Sequence, residues 1–200
     1  RVAGSMGDIG CFSFFPSKNM AVGGEGGMLT TTKDAYSEKI SGITNHGRSP
    51  NLEAMELGSN LRMSEVSAAI GLVQLDHLNG WVGRRNAIAE QYTNALEHHN
   101  YLNAPQVRAG GYHAWHQYCV QTEHAEEFVQ HMDNHSIDAR RYYTTPIHCQ
   151  HVFKDHPQFE AKFPVTERLG ASLVAIPVMH ELTDVEIERI LDALNSFHPE

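Results

Sequence analysis

No apolar run in these 200 residues is long enough to cross a bilayer. Basic residues are scarce, with 15 Lys and Arg against 24 Asp and Glu, a formal net charge of −9. That balance argues against the nucleic-acid backbone as the main partner, because phosphate binding needs clustered cations. Cysteine is nearly missing too. Cys11, Cys119 and Cys149 are an odd number without metal-type spacing. Cys11 and Cys119 lie in apolar, strand-like runs and read as small core residues. No signal peptide opens the chain, and a reducing cytoplasm fits the cysteine usage best. There is no internal repeat, low-complexity tract or charge block.

What is present suits one domain or two small ones, with 41% apolar content, ample for a core. Fourteen histidines are unusual. His148 with His151, and His98 with His99, form pairs, but neither has a third ligand at a regular spacing, so no metal site is assigned.

One stretch carries chemistry. Gly10-Cys11-Phe12-Ser13-Phe14-Phe15 reads as a strand buried on both faces, extending over 9–15. Pro16 ends it, having no N–H for the ladder. Lys18 follows in a turn of small residues, and Gly23-Gly24-Glu25-Gly26-Gly27 comes next. A lysine at a strand exit reaches the cleft where open α/β sheets bind ligands. Apolar surroundings lower a lysine's pKa toward a nucleophilic amine. A surface lysine after a core strand fits the spacing equally well.

Downstream, residues 28–32 read as a second strand. Asp34 stands as the cap of a helix with Tyr36, Ile40 and Ile43 on one face, closed by Gly47. Ser64 caps a helix whose buried face is Val66, Ala69, Ile70 and Val73. Its small residues, Ser67, Ala68, Ala69 and Gly71, allow close backbone approach. Asn79-Gly80 breaks the pattern. Trp81, Ile88, Tyr92 and Leu96 mark a second long helix with Arg84 and Arg85 near its start. The rest reads as an α+β unit. Strands are expected at 116–121 and 137–143, a helix around Phe128, Val129 and Met132, and an apolar stretch over 173–178 that ends at Pro177. Thr166 is the cap of a helix running to Leu173. Thr183-x-x-Glu186 forms a capping box before a helix buried through Ile187, Ile190, Leu191 and Leu194.

Ser13-Phe14-Phe15-Pro16-Ser17-Lys18-Asn19 with Gly24-Glu25-Gly26-Gly27 resembles the cofactor segment of the DegT/DnrJ/EryC1/StrS sugar aminotransferases. Asn45-His46-Gly47, Gly58-Ser59-Asn60-Leu61-Arg62-Met63, Ala68-Ala69-Ile70-Gly71, Gln74-Leu75, His113-Ala114-Trp115-His116 and Pro146-Ile147-His148 follow in that family's order. The resemblance covers nearly the whole chain. It implies an α/β fold of type I with pyridoxal 5′-phosphate as cofactor. Residues 1–98 would be the remainder of the large domain with its linking helix, and 99–200 the small C-terminal domain. Compared with the family, nearly half the chain is missing upstream of Arg1, including the pyridine-nitrogen aspartate and the stacking aromatic.

By the same resemblance, Lys18 is the Schiff-base lysine. Ser13 donates to the cofactor phosphate, and Asn60 reaches a neighbouring subunit's phosphate in a homodimer with shared sites. Arg62 serves a nucleotide-sugar phosphate or braces its loop. His148 faces the sugar or faces solvent. The implied reaction moves an amino group, usually from L-glutamate, to a keto group of a nucleotide-linked deoxysugar. Two other readings stand beside it: a sugar dehydratase of the same family, which carries histidine in place of the lysine, and a truncated, non-catalytic chain.

Overall fold

The computed structural model describes residues 1–153 and 162–199, which form two compact units, Arg1–Gly80 and Trp81–Glu200. The division falls after Gly80, inside a helix.

In the first unit, β1 (Gly10–Ser13) and β2 (Gly27–Thr30) form an antiparallel ribbon, with Gly10 opposite Thr30 and Ser13 opposite Gly27. Pairing extends one step further, where the Phe14 N–H donates to the Gly26 carbonyl. Only Gly10 of β1 is buried. The expected burial on both faces is therefore not observed, and Cys11 is exposed rather than a core residue. Among the described residues this ribbon has two strands, so each strand has an edge without a ladder partner.

Helix α1 (Asp34–Thr44) begins after Lys33, so Asp34 lies in the first turn and is not the cap. There it still favours the positive end of the helix dipole. Gly47, at φ +71°, returns its N–H to the Gly42 carbonyl and closes the helix as expected.

Helix α2 (Glu65–Leu96) opens on the Ser64 hydroxyl, which accepts the Ser67 N–H at 3.1 Å. It runs unbroken through Asn79-Gly80. A helical glycine costs about 1 kcal/mol, too little to stop a helix that continues on both sides. Its expected apolar face does not hold: Val66 is 72% and Val73 63% exposed. The small face is used instead. A side chain at buried Gly71 would lie 3.1 Å from Val22, and Gln74 Oε1 accepts the Ala21 N–H at 2.8 Å.

In the second unit, β3 (Tyr118–Gln121) pairs antiparallel with β4 (Leu173–Ile176), Tyr118 opposite Ile176. The strand expected over 137–143 reduces to one bridge, Arg140 with Ala175, before a turn at Tyr142 and Tyr143. Helix α3 (Ala125–Asn134) packs on β4 through an apolar stripe of Phe128 and Met132. Helix α4 (Pro164–Ser172) starts with Pro164 at its first position, so Thr166 lies inside it instead of capping it. Proline fits there because its missing N–H has no intrahelical role. Helix α5 (Asp184–Asn195) carries the complete Thr183–Glu186 capping box. One core gathers Ile88, Tyr92 and Leu96 of α2, Tyr118 and Val120 of β3, Phe128 and Met132 of α3, and Ile187, Ile190 and Leu194 of α5.

Candidate functional site

Lys18 sits where the expected strand exit places it. Its N–H donates to the Phe15 carbonyl at 2.9 Å, so residues 15–18 form a tight turn directly after the ribbon. The segment that follows is held on α2 by the Ala21–Gln74 hydrogen bond and by fully buried Val22. Ser13 ends β1, and its Oγ accepts the Phe15 N–H at 3.4 Å. That leaves the hydroxyl proton to donate outward.

Asn60 and Arg62 ride on a loop laid antiparallel to the end of α1. The Asn45–Asn60 bridge is flanked by His46 N–H to Ser59 O at 3.1 Å and Leu61 N–H to Thr44 O at 3.0 Å. Two glycines permit that approach. A Cβ on Gly47 would lie 1.7 Å from the Glu56 carbonyl oxygen, and one on Gly58 2.2 Å from the Gly47 nitrogen. A guanidinium nitrogen of Arg62 donates to Asn45 Oδ1.

The strand exit and this loop meet at Gly26. A Cβ there would stand 2.4 Å from Val22, 3.2 Å from Met63 Sδ and 3.6 Å from Phe14 Cβ. Only glycine lets the three segments close together. Thus Ser13 and Lys18 share one strand exit, Asn60 and Arg62 share one loop, and the two pieces touch through the residues beside them.

His148 lies in the second unit, in the 3₁₀ turn Ile147–Cys149. It is not a solvent-facing histidine: its side chain is 10% exposed, paired at 3.1 Å with Glu167 and 4.8 Å ring to ring from Phe163. The His148 hydrogen bond, with the Phe163 N–H, holds the Glu167 carboxyl below its ordinary value.

Two residues of consequence carried no role in the sequence reading. Asn45 was visible only as part of Asn45-His46-Gly47. Arg85 is 5% exposed and donates to the Trp115 and Val178 carbonyls at 3.0 and 3.1 Å. Burial lowers its pKa, with Glu181 opposing. The signal for Arg85 was a charge four residues after Trp81 and three before Ile88, on the stripe that becomes buried.

The residues present fit a phosphorylated aldehyde cofactor. They offer an amine at a strand exit and a hydroxyl at the end of the same strand, with Gly26 and Gly27 paired across from Phe14 and Ser13. The architecture is that of the fold type I pyridoxal-phosphate enzymes. The chain belongs to the DegT/DnrJ/EryC1/StrS aminotransferase family, whose model matches residues 1–195.

It is 34% identical over 187 residues to a UDP-N-acetyl-3-dehydro-alpha-D-glucosamine 3-aminotransferase of Acidithiobacillus ferrooxidans, covering 94% of this chain and 50% of that protein. A "pleiotropic regulatory protein" of Geobacillus stearothermophilus is 30% identical over 200 residues, 99% of this chain and 54% of that one. A DegT DnrJ EryC1 StrS aminotransferase from Brucella abortus superposes with a TM-score of 0.90 at 26% identity, covering 98% of this chain and 52% of that one. The chain spans about half the length of the curated relatives it matches. Among the described residues, no helix is long and apolar enough to cross a membrane.

Proposed function

We infer that this chain carries the lysine-bearing part of a pyridoxal-phosphate aminotransferase that passes an amino group from an amino acid, L-glutamate, to a keto group of a nucleotide-linked deoxysugar. The observation carrying this reading is Lys18 in a closed turn at the strand exit, in a chain of an aminotransferase family. Names of relatives such as the UDP-sugar 3-aminotransferase support a nucleotide-sugar acceptor. Bound pyridoxal phosphate supplies the electron sink on which amino transfer depends. Lys18 Nζ would hold the cofactor and, when freed by the amino donor, would move a proton at the substrate carbon. The Ser13 hydroxyl donates to the phosphate. His148 enters this reading only through the family resemblance, as a residue facing the sugar. Lysine at position 18 disfavours the dehydratase reading, which calls for histidine there.

The test is borohydride reduction of the purified protein loaded with pyridoxal phosphate, followed by peptide mapping. The label is expected on Lys18. Lys18→Ala and Lys18→Arg should both lose the visible absorbance of the bound cofactor and turnover with glutamate, since arginine stays charged. Unchanged absorbance in either variant, or a label elsewhere, sinks the assignment and favours a non-catalytic chain.

The active form is proposed to be a cytoplasmic homodimer in which Asn60 donates to the neighbouring subunit's cofactor phosphate. Mixing Lys18→Ala with Asn60→Ala protein should then restore part of the activity that each lacks alone. Mixtures no better than their components would rule the shared site out.

A further inference from the structure

We propose that Asn45 is the positioning residue of the site loop, its side-chain amide aiming the Arg62 guanidinium at the diphosphate of the nucleotide-linked substrate. The inference rests on the function proposed above and adds to it a residue given no role there.

The backbone sets the geometry. Asn45 and Asn60 are directly opposed in an antiparallel bridge, so their side chains share one face of the local ribbon. Residues two apart in extended chain also share a face, which brings Arg62 to the same side as Asn60. Asn45 therefore meets Asn60 as its direct cross-strand neighbour and Arg62 as its diagonal one. The hydrogen bond from Arg62 to Asn45 Oδ1 is that diagonal contact.

Asn45 is not using its side chain to finish its own helix. It is the residue after Thr44, and its backbone N–H already returns to the Gly42 carbonyl. Nor is the amide needed to fix the loop's path. The His46–Ser59 and Leu61–Thr44 hydrogen bonds, and the Gly47–Gly58 approach, do that with backbone alone. What remains for Oδ1 is the direction of a long, exposed, charged side chain.

A guanidinium carries five donors in a rigid planar fork matched to phosphate oxygens. Without an anchor, an exposed arginine loses much rotamer freedom when it binds, and that entropy weakens binding. One neutral acceptor fixes the fork without cancelling its charge. An aspartate at position 45 would hold Arg62 equally well but would compete with the phosphate for it.

The test is titration of UDP, dTDP and GDP into the wild-type protein and into Asn45→Ala, Arg62→Ala, the double variant and Asn45→Asp. Cofactor retention and thermal melting are read on the same samples. For the best-bound nucleotide, Asn45→Ala should weaken affinity about tenfold, the order of one hydrogen bond to a charged group. The double variant should be no worse than Arg62→Ala, the non-additivity expected of groups acting as one. Asn45→Asp should fold normally and weaken nucleotide binding as well. Melting and cofactor retention should be unchanged throughout.

Additive losses, or unchanged affinity in Asn45→Ala, would overturn the inference. So would a loss accompanied by matching drops in melting temperature and cofactor retention, which would make Asn45 a brace of the fold. Absence of nucleoside diphosphate binding in the wild type would overturn it as well. The lysine-labelling result bears on the aminotransferase reading alone, so the two can fail separately.

Discussion

Arg85 shows how one side chain can stabilise without an ion pair. Its guanidinium ties α2 to the Trp115 carbonyl and to the Val178 carbonyl just beyond β4, both inside the second unit. Trp115 itself holds a left-handed backbone, φ +44°, which a non-glycine residue keeps only under constraint. Three further contacts supply it. His113 Nδ1 accepts the Trp115 N–H at 2.9 Å, Asn86 Oδ1 accepts the indole N–H at 3.1 Å, and Asn86 Nδ2 donates to the His113 carbonyl. Arg85→Met should keep the apolar packing but strand two buried acceptors, costing about 1–3 kcal/mol for each. Chemical denaturation would read this directly, and Arg85→Lys should recover only part, since an ammonium lacks the planar fork. A midpoint unmoved in Arg85→Met would mean that water replaces the guanidinium at no cost.

Among the elements, the end of α2 carries a pH response. His99 Nδ1 accepts the N–H groups of Tyr101 and Leu102, at 3.1 and 3.0 Å, so the ring must be unprotonated at that nitrogen. Burial lowers its pKa, and nearby His198 adds to this, while the Leu194 and Phe197 carbonyls oppose. Tyr101 meets it edge-on at 6.2 Å, and Phe197 stacks at 6.5 Å. A folded-state pKa below that of the unfolded chain means that the unfolded state takes up protons first as pH falls. Stability is therefore complete above about pH 6.5 and is lost as pH drops through the lowered value. Urea midpoints measured from about pH 8 to pH 5 should decline in the wild type and decline less in His99→Asn. Equal declines would place the response elsewhere, for instance at His180, whose pKa burial also lowers. Elements set by near neighbours were legible in advance: the Thr183–Glu186 capping box, the Ser64 cap, the β3 alternation and the α5 stripe. The α2 face was not, because the apolar spacing of Val66, Ile70 and Val73 says that a face wants cover and not which face this chain covers. In the candidate site, the turn that carries Lys18 and the strand end that carries Ser13 were legible because both are set locally. Asn45 and Arg85 were not, since their partners lie 17, 30 and 93 residues away.

For the whole molecule, the two units differ in how well each supplies its own core. Fully buried Tyr92, Tyr118, Phe128, Phe197 and Leu194 all belong to the second unit, whereas Leu52, Leu57, Val66, Leu72 and Val73 of the first stand exposed. Residues 81–200 expressed alone should fold cooperatively, with Phe128→Ala costing about 3–5 kcal/mol. Residues 1–80 alone should associate, as large exposed apolar patches do. A soluble, monomeric 1–80 beside an unfolded 81–200 would reverse this assignment. The division between the units falls at Gly80, within α2 and directly after Asn79. In a flexible chain an asparagine before glycine is chemically short-lived, because the glycine nitrogen attacks the side-chain amide and ammonia leaves. Helical geometry points that nitrogen along the axis toward a carbonyl one turn back and away from the amide carbon. Asn79 therefore survives only while this turn stays wound, and the aspartate and isoaspartate left when water opens the resulting ring in stored protein would be a slow clock of how often this turn of the helix opens.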